Sequence, residues 1–285
     1  MAHEVTFGYF LIPNAADPLL ETAREVERLG LDVVGVQDHP YQRRFVDTFV
    51  LMSGILATTT RLRAFPDVAN LPLRPPAVLA KAAASLDVMS GGRFDLGLGA
   101  GSFWDAIDGY GGSRRTPGES LDQLAEGIEV IRRLWSGERG LRFEGDYYHL
   151  RGVHSGPVPR GDLGIWLGAY RPRALRLTGR LADGWVPSVD GDLVQLAEMN
   201  ARVDEGATQA DRDPSAVRRI YNVNGVVTDG PSEGFLRGPV DQWADELTAL
   251  AVDHRADTLV FWGDGADQLR RFAEDVVPAI RDQLS

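Results

Sequence analysis

The chain has 285 residues, 44% of them hydrophobic and 25% charged, a length that suits one barrel of about 250 residues or two average domains. Its 30 Lys and Arg against 41 Asp and Glu leave a net charge of -11, and the arginines are scattered, so no nucleic-acid partner is expected. Cysteine is absent and Lys81 is the sole lysine, which removes disulfides, thiolate nucleophiles and cysteine-held metals and argues against Schiff-base chemistry.

The opening MAHEVTFGYFLIP has an apolar run but no basic leader or small-residue cleavage site. No later apolar segment approaches the roughly 20 residues of a membrane span, so the expectation is a cytoplasmic protein without membrane contact. Periodicity predicts strands at 5–12, 32–37, 61–68, 93–99, 164–169, 184–188, 219–227 and 257–263. Helical patterns alternate with them: PLLETAREVERLG after the first strand, PAVLAKAAASLDVMSG after the third, SLDQLAEGIEVIRRLWSG after the fourth, PRALRLTGRLA after the fifth and VDQWADELTALAVDH before the last. Gly30, Gly91 and Gly137 sit where a helix ends in a left-handed residue. Residues 139–163 and 228–240 break the rhythm with turn-rich sequence and read as excursions over the mouth or edge of the fold.

Eight strands alternating with helices imply parallel pairing through right-handed crossovers. An open dinucleotide-binding sheet and a closed barrel both satisfy this, and the stretch LGLGAGS decides between them. Gly97, Gly99 and Gly101 imitate half of a phosphate-binding fingerprint, yet Ser102 follows and the run comes after the fourth strand, where such a fingerprint follows the first. The reading is a single (β/α)8 TIM barrel over residues 1–285, with its functional groups at the carboxyl ends of the strands: Tyr9, Asp38 and His39, Asp67 to Asn70, Gly99 to Ser102, Ala169 to Arg171, Pro187 and Ser188, and Trp262. The remaining histidines, His3, His149, His154 and His254, match no site motif, and no metal is expected.

Four segments, ETAREVERLGLDVVGVQDHP, NLPLRPPAVLAKAAASLDVMSGGRFDLGLGAGSFWDAIDGYG, GIWLGAYRPRALRLTGRLADGWVPS and ADTLVFWGDGADQLRRFAEDVVPAIR, run in order along nearly the whole chain. Together they resemble the luciferase-like monooxygenase superfamily, the flavin- and deazaflavin-dependent barrels related to bacterial luciferase. The second and third segments are the specific ones, because strand, glycine turn and helix recur there with the same residues.

The resemblance implies a cofactor, coenzyme F420 or alternatively FMN, lying across the barrel mouth. Gly97, Gly99 and Gly101 would let the fourth strand end close beneath its ring, or would simply relieve crowding at a barrel corner. Gly168, Ala169, Tyr170 and Arg171 precede a helix with Pro172 in its first turn, and the resemblance puts the cofactor phosphate there, with Arg171 or Arg173 adding charge; a plain helix start is the rival. Asp38 and His39 match a pair that in the deazaflavin branch contacts the ring, His39 serving in proton transfer. Asp67, Val68 and Asn70 fall where relatives carry a bulge with a non-prolyl cis peptide; Asn70 would reach the ring or cap a turn. Asp105 is a weak second proton-transfer candidate, and Tyr9, Trp104, Tyr110 and Trp262 are substrate-pocket or core aromatics.

The favoured activity is F420-dependent hydride transfer between the deazaflavin and a small organic substrate. The alternative is an FMN-dependent monooxygenase that uses oxygen and draws reduced flavin from a separate reductase; a barrel that carries cofactor without catalysis is a third reading. A homodimer packed through the early helices, AVLAKAAASLDVM among them, completes the expectation.

Overall fold

In the computed structural model, which describes residues 5–285, the alternation becomes a parallel barrel wrapped by helices. The chain runs β1 (Thr6–Leu11), α1 (Leu19–Arg28), β2 (Val33–Val36), α2 (Thr48–Thr58), β3 (Arg63–Pro66), α3 (Pro76–Ser90), β4 (Leu96–Gly99), α4 (Trp104–Gly109) and α5 (Pro117–Trp135). It continues through β5 (Ile165–Leu167), α6 (Pro172–Leu181), β6 (Gly184–Trp185), α7 (Leu193–Gln209), β7 (Arg218–Asn224), α8 (Val240–Val252), β8 (Thr258–Trp262), α9 (Gly265–Arg271) and α10 (Val277–Leu284). The sheet has ten strand segments because Ala69–Asn70 continues β3 and Ser188–Val189 continues β6.

Each strand pairs in parallel with the next in sequence, and β8 pairs with β1. β3 meets β4 through Ala64 opposite Phe94 and through Ala69 and Asn70 opposite Leu98 and Gly99, which closes the ring. Bulky side chains fill the interior: Phe10, Val33, Phe65, Trp166, Val186, Ile220 and Val260 form one buried cluster, with Val68 and Trp262 packed on it toward the mouth. The larger apolar cluster lies between the strands and the helices, as burial of one stripe per helix requires.

Local signals set the helix ends. Pro76, Pro117 and Pro172 occupy first helical turns, Thr116 and Glu119 form a capping box for α5, and Gly30, Gly91 and Gly137 take φ of +83°, +77° and +80°. Both excursions lie at the edge of the barrel. The first is an antiparallel hairpin, Leu141–Glu144 with His149–Val153, whose turn donates the backbone N–H groups of Asp146, Tyr147 and Tyr148 to Glu126 on α5. The second folds Arg237–Gly238 back beside Val226–Val227. No helix among the described residues is long and apolar enough to cross a membrane. His3 lies outside the described residues.

Candidate active site

A cavity of about 860 Å³ opens over the carboxyl ends of the strands. Of the residues singled out from the sequence, Asp38, His39, Asp67, Val68, Asn70, Gly99, Gly101, Ser102, Gly168, Ala169, Tyr170 and Arg171 all line it, and Trp262 does too. Arg173 does not reach it: its guanidinium turns outward to Asp122 at 2.5 Å. Asp105 is 98% exposed and paired with Arg114. Of the four candidate pocket aromatics only Trp262 lines this cavity, because Tyr9 points from β1 toward the helix layer and donates its hydroxyl to the Gly263 carbonyl, while Tyr110 stands exposed on the surface and Trp104 on α4 falls outside the lining.

The loop after β2 is held at both ends by one residue. Arg74 donates Nε and Nη2 to the two carboxylate oxygens of Asp38, at 2.8 and 2.7 Å, and Nη2 also to Asp47 at 2.7 Å. Asp47 caps α2 by accepting from the backbone of Phe49 and Val50, and Asp38 accepts the Asn70 N–H at 2.9 Å. With 1% exposure and both oxygens engaged, Asp38 fixes the loop and lends His39 a nearby negative charge. Arg74 was invisible as a site residue in the sequence: an arginine among prolines before a helix carries no signal of a partner 36 positions away.

His39 faces the cavity with Tyr41 stacked on it at 5.4 Å and Phe103 edge-on at 5.3 Å. Burial pushes its imidazole below the ordinary histidine value of 6.5, against an opposing pull from the Asp38 charge. The ring is therefore neutral at pH 7 and able to take a proton.

The third strand breaks at a cis peptide between Asp67 and Val68, the place where the resemblance puts one. Val68 is seated between two glycines: a Cβ at Gly99 would come within 2.9 Å of Val68 Cγ2, and one at Gly168 within 3.1 Å. A Cβ at Gly97 would meet the Pro66 carbonyl oxygen at 2.0 Å, and one at Gly101 would meet Pro72 and Ile107. The glycines thus clear space for the neighbouring strand and for Val68, and the surface offered to a ligand is Val68 itself.

Around this wall three buried oxygens lack a hydrogen-bond partner: Asp67 Oδ2, Asn70 Oδ1 and Asn222 Oδ1. Burial pushes the Asp67 carboxyl up to about 7, with a hydrogen bond from Asn222 working the other way. A carboxyl whose folded value lies above its unfolded value of 3.8 contributes stability at low pH and loses it as pH rises from 3.8 to about 7. Asp67→Asn should therefore gain stability over the parent at pH 8 but not at pH 4, by roughly 2 kcal/mol once cavity water is allowed for. Thermal denaturation of the cofactor-free proteins at both pH values reads this directly, and equal differences at the two would refute it.

Gly168 to Arg171, also in the lining, lead into α6, whose first turn begins at Pro172 and whose Ala174 and Thr178 line the cavity. Tyr170 bends over it, its hydroxyl accepting the Ser188 N–H at 2.8 Å. Free backbone amides, the positive end of a ten-residue helix and the exposed Arg171 converge here, an arrangement suited to an anion.

The family model described as luciferase-like monooxygenase matches residues 5–234. The chain belongs to the luciferase-like monooxygenase family. Within this luciferase-like family it is 31% identical over 233 residues to a protein of Gordonia bronchialis named F420-dependent glucose-6-phosphate dehydrogenase, covering 78% of this chain and 69% of that one. A Mycobacterium tuberculosis protein of the same name is 29% identical over 276 residues, 93% of this chain and 81% of the other. Among solved structures, an F420-dependent secondary alcohol dehydrogenase in complex with an F420-acetone adduct superposes with a TM-score of 0.87 at 20% identity, covering 98% of this chain and 100% of that one. This luciferase-like chain is accordingly an enzyme, an oxidoreductase on a TIM barrel.

Proposed function

We propose that the enzyme uses coenzyme F420 to move a hydride to or from a small organic substrate, with His39 exchanging the accompanying proton. The observation that carries this reading is that the His39 imidazole, the Val68 wall and the start of α6 at Arg171 line one cavity. The names of the relatives from Gordonia bronchialis and Mycobacterium tuberculosis support the choice of cofactor.

The residues present fit a deazaflavin. Its pyrimidine edge carries an N–H and two carbonyls, and Asn70 and Asn222, whose oxygens are buried without a partner, offer both donors and acceptors. Val68 presents an apolar surface for the ring, and the amides leading into α6, with Arg171, would hold the phosphate. When bound, the deazaflavin supplies hydride acceptance or donation at C5. The chain supplies orientation through Val68, exclusion of water by Phe10 and Trp262, which stack at 4.6 Å, and a proton site on the His39 imidazole held in place by Asp38 and Arg74.

Titration of the protein with F420 and with FMN tests the cofactor, and F420 should bind and show substrate-dependent bleaching. FMN binding with oxygen-dependent turnover would assign the monooxygenase alternative, and binding without any turnover would leave a carrier. Arg171→Ala should weaken F420 binding by about 1–3 kcal/mol, the worth of a charge-assisted hydrogen bond, while the rate at saturation stays near that of the parent. Unchanged affinity would move the phosphate elsewhere.

We also propose a homodimer through the early helices, supported by Val50 on α2 and by Val78, Val88 and Met89 on α3, all exposed. Light scattering should report twice the 31.1 kDa chain mass, and a monomer at micromolar concentration would exclude it.

A further inference from the structure

We propose that Asp67 is a recognition residue for the cofactor ring, binding it in the protonated form and donating the carboxyl O–H to a ring acceptor, so that loading the barrel takes up a proton. This rests on the F420 reading, gives it one more contact and makes cofactor affinity a function of pH.

The barrel itself places the carboxyl. Asp67 follows β3 directly, lines the cavity beside the Val68 wall and turns its side chain inward over β2. Gly35 makes room for it, since a Cβ there would stand 2.9 Å from Asp67 Oδ2 and 2.8 Å from Phe65 Cζ. From β7, on the opposite side of the ring of strands, Asn222 gives the same carboxyl a hydrogen bond and lines the cavity with it.

Beyond that bond the surroundings offer no donor. Asp67 Oδ2 is buried with no hydrogen-bond partner, and so is the Oδ1 of Asn222. An ionised carboxylate calls for donors at both oxygens, whereas a neutral one needs an acceptor for its single proton and loses little at a bare carbonyl oxygen. No cation takes the place of those donors. Apart from Asp67, the titratable groups lining the cavity among the described residues are Asp38, His39, Tyr41, Tyr170 and Arg171. Arg74 engages both oxygens of Asp38, His39 is neutral at pH 7, and burial keeps the Tyr41 hydroxyl protonated. The Tyr170 hydroxyl accepts the Ser188 N–H, and Arg171 stands exposed at the start of α6. From β1, β2 and β8 come only Phe10, Gly35 and Trp262. Burial therefore dominates, and it holds Asp67 at about 7 with Asn222 alone opposing.

A ring seated against Val68 would cover the cavity side of Asp67 and displace the water that still supports its charged form. Carbonyl and ring-nitrogen acceptors of the deazaflavin give the acid proton a partner in exchange. Both effects raise the carboxyl's value in the complex above that in the free protein. Affinity is then fully present below the free-protein value of about 7 and is lost as pH rises beyond it.

The experiment measures F420 binding by calorimetry at pH 6 and pH 9 for the parent, Asp67→Asn and Asp67→Ser. Titration of the cofactor's own groups is common to all three proteins, so the differences belong to Asp67. Relative to either variant, the parent should lose about tenfold or more in affinity between pH 6 and pH 9. Calorimetry at pH 8 in two buffers of different ionisation enthalpy should show the parent taking up more protons per cofactor bound than the variants. Asp67→Ser carries the test if Asp67→Asn fails to fold. Parallel pH profiles with equal proton uptake overturn the proposal and leave F420 as the cofactor. If FMN binds the parent and F420 does not, the cofactor reading falls, and the same comparison made with FMN keeps or overturns the role of Asp67. A folded parent that binds neither overturns both.

Discussion

His39→Asn should bind F420 like the parent and lose turnover by about 100- to 10,000-fold, the range for one proton-transfer group. Affinity is preserved because Val68 and the start of α6 are untouched and because Asn keeps the loop's shape, which Arg74 holds through Asp38 and Asp47. The pH dependence gives a second readout. Burial holds the His39 imidazole below 6.5 in the free enzyme, so the proton-accepting form is present above that depressed value and is lost as pH falls through it. In the direction that oxidises substrate, kcat/KM should fall on the acid side with a midpoint below 6.5, and the Asn variant should lack that limb. If His39 only braced the loop, the variant would lose F420 or fold poorly while whatever stayed loaded turned over normally. A loaded and fully active His39→Asn protein would end the proton-transfer assignment.

How far the site was legible in the sequence depends on the range of each interaction. The strands, the capping prolines and glycines and the cluster of residues at strand ends are local patterns, and the barrel places Asp38, Val68, Asn70, Gly168 and Arg171 around one cavity as the alternation implies. The helices Thr48–Thr58 and Leu193–Gln209 join those read from periodicity; the former is apolar nearly all round, so no polar stripe marks it. Partnerships across the fold left no trace. Arg74 with Asp38 and Asp47, and Asn222 with Asp67, join residues from different strand–helix units whose meeting is set by barrel closure. Arg173 shows the converse: it lies two positions from Arg171 at a helix start, and helix rotation alone sends it to Asp122 and away from the cavity.

The glycine run tests what such a motif is for. If Gly97 and Gly99 existed to admit a ring, alanine there would spare the cofactor-free protein and damage F420 affinity. The geometry requires the opposite order. A methyl at Gly97 would stand 2.0 Å from the Pro66 carbonyl oxygen, a backbone atom of β3 that cannot rotate away, so β3 or β4 must shift and with it the Asp67–Val68 segment. Overpacking of this kind costs about 3 kcal/mol or more, and Gly97→Ala should lose that much stability before any cofactor is added. Gly99→Ala meets the Val68 side chain at 2.9 Å, and a side chain can give, so about 1 kcal/mol is expected there together with weaker F420 binding as Val68 is displaced. At Gly109, the end of α4, a Cβ would meet nothing within 4 Å and φ is not left-handed, so Gly109→Ala should leave stability unchanged or slightly raised. Chemical denaturation of the three cofactor-free variants ranks them, and a Gly97→Ala protein as stable as the parent would return the run to the cofactor.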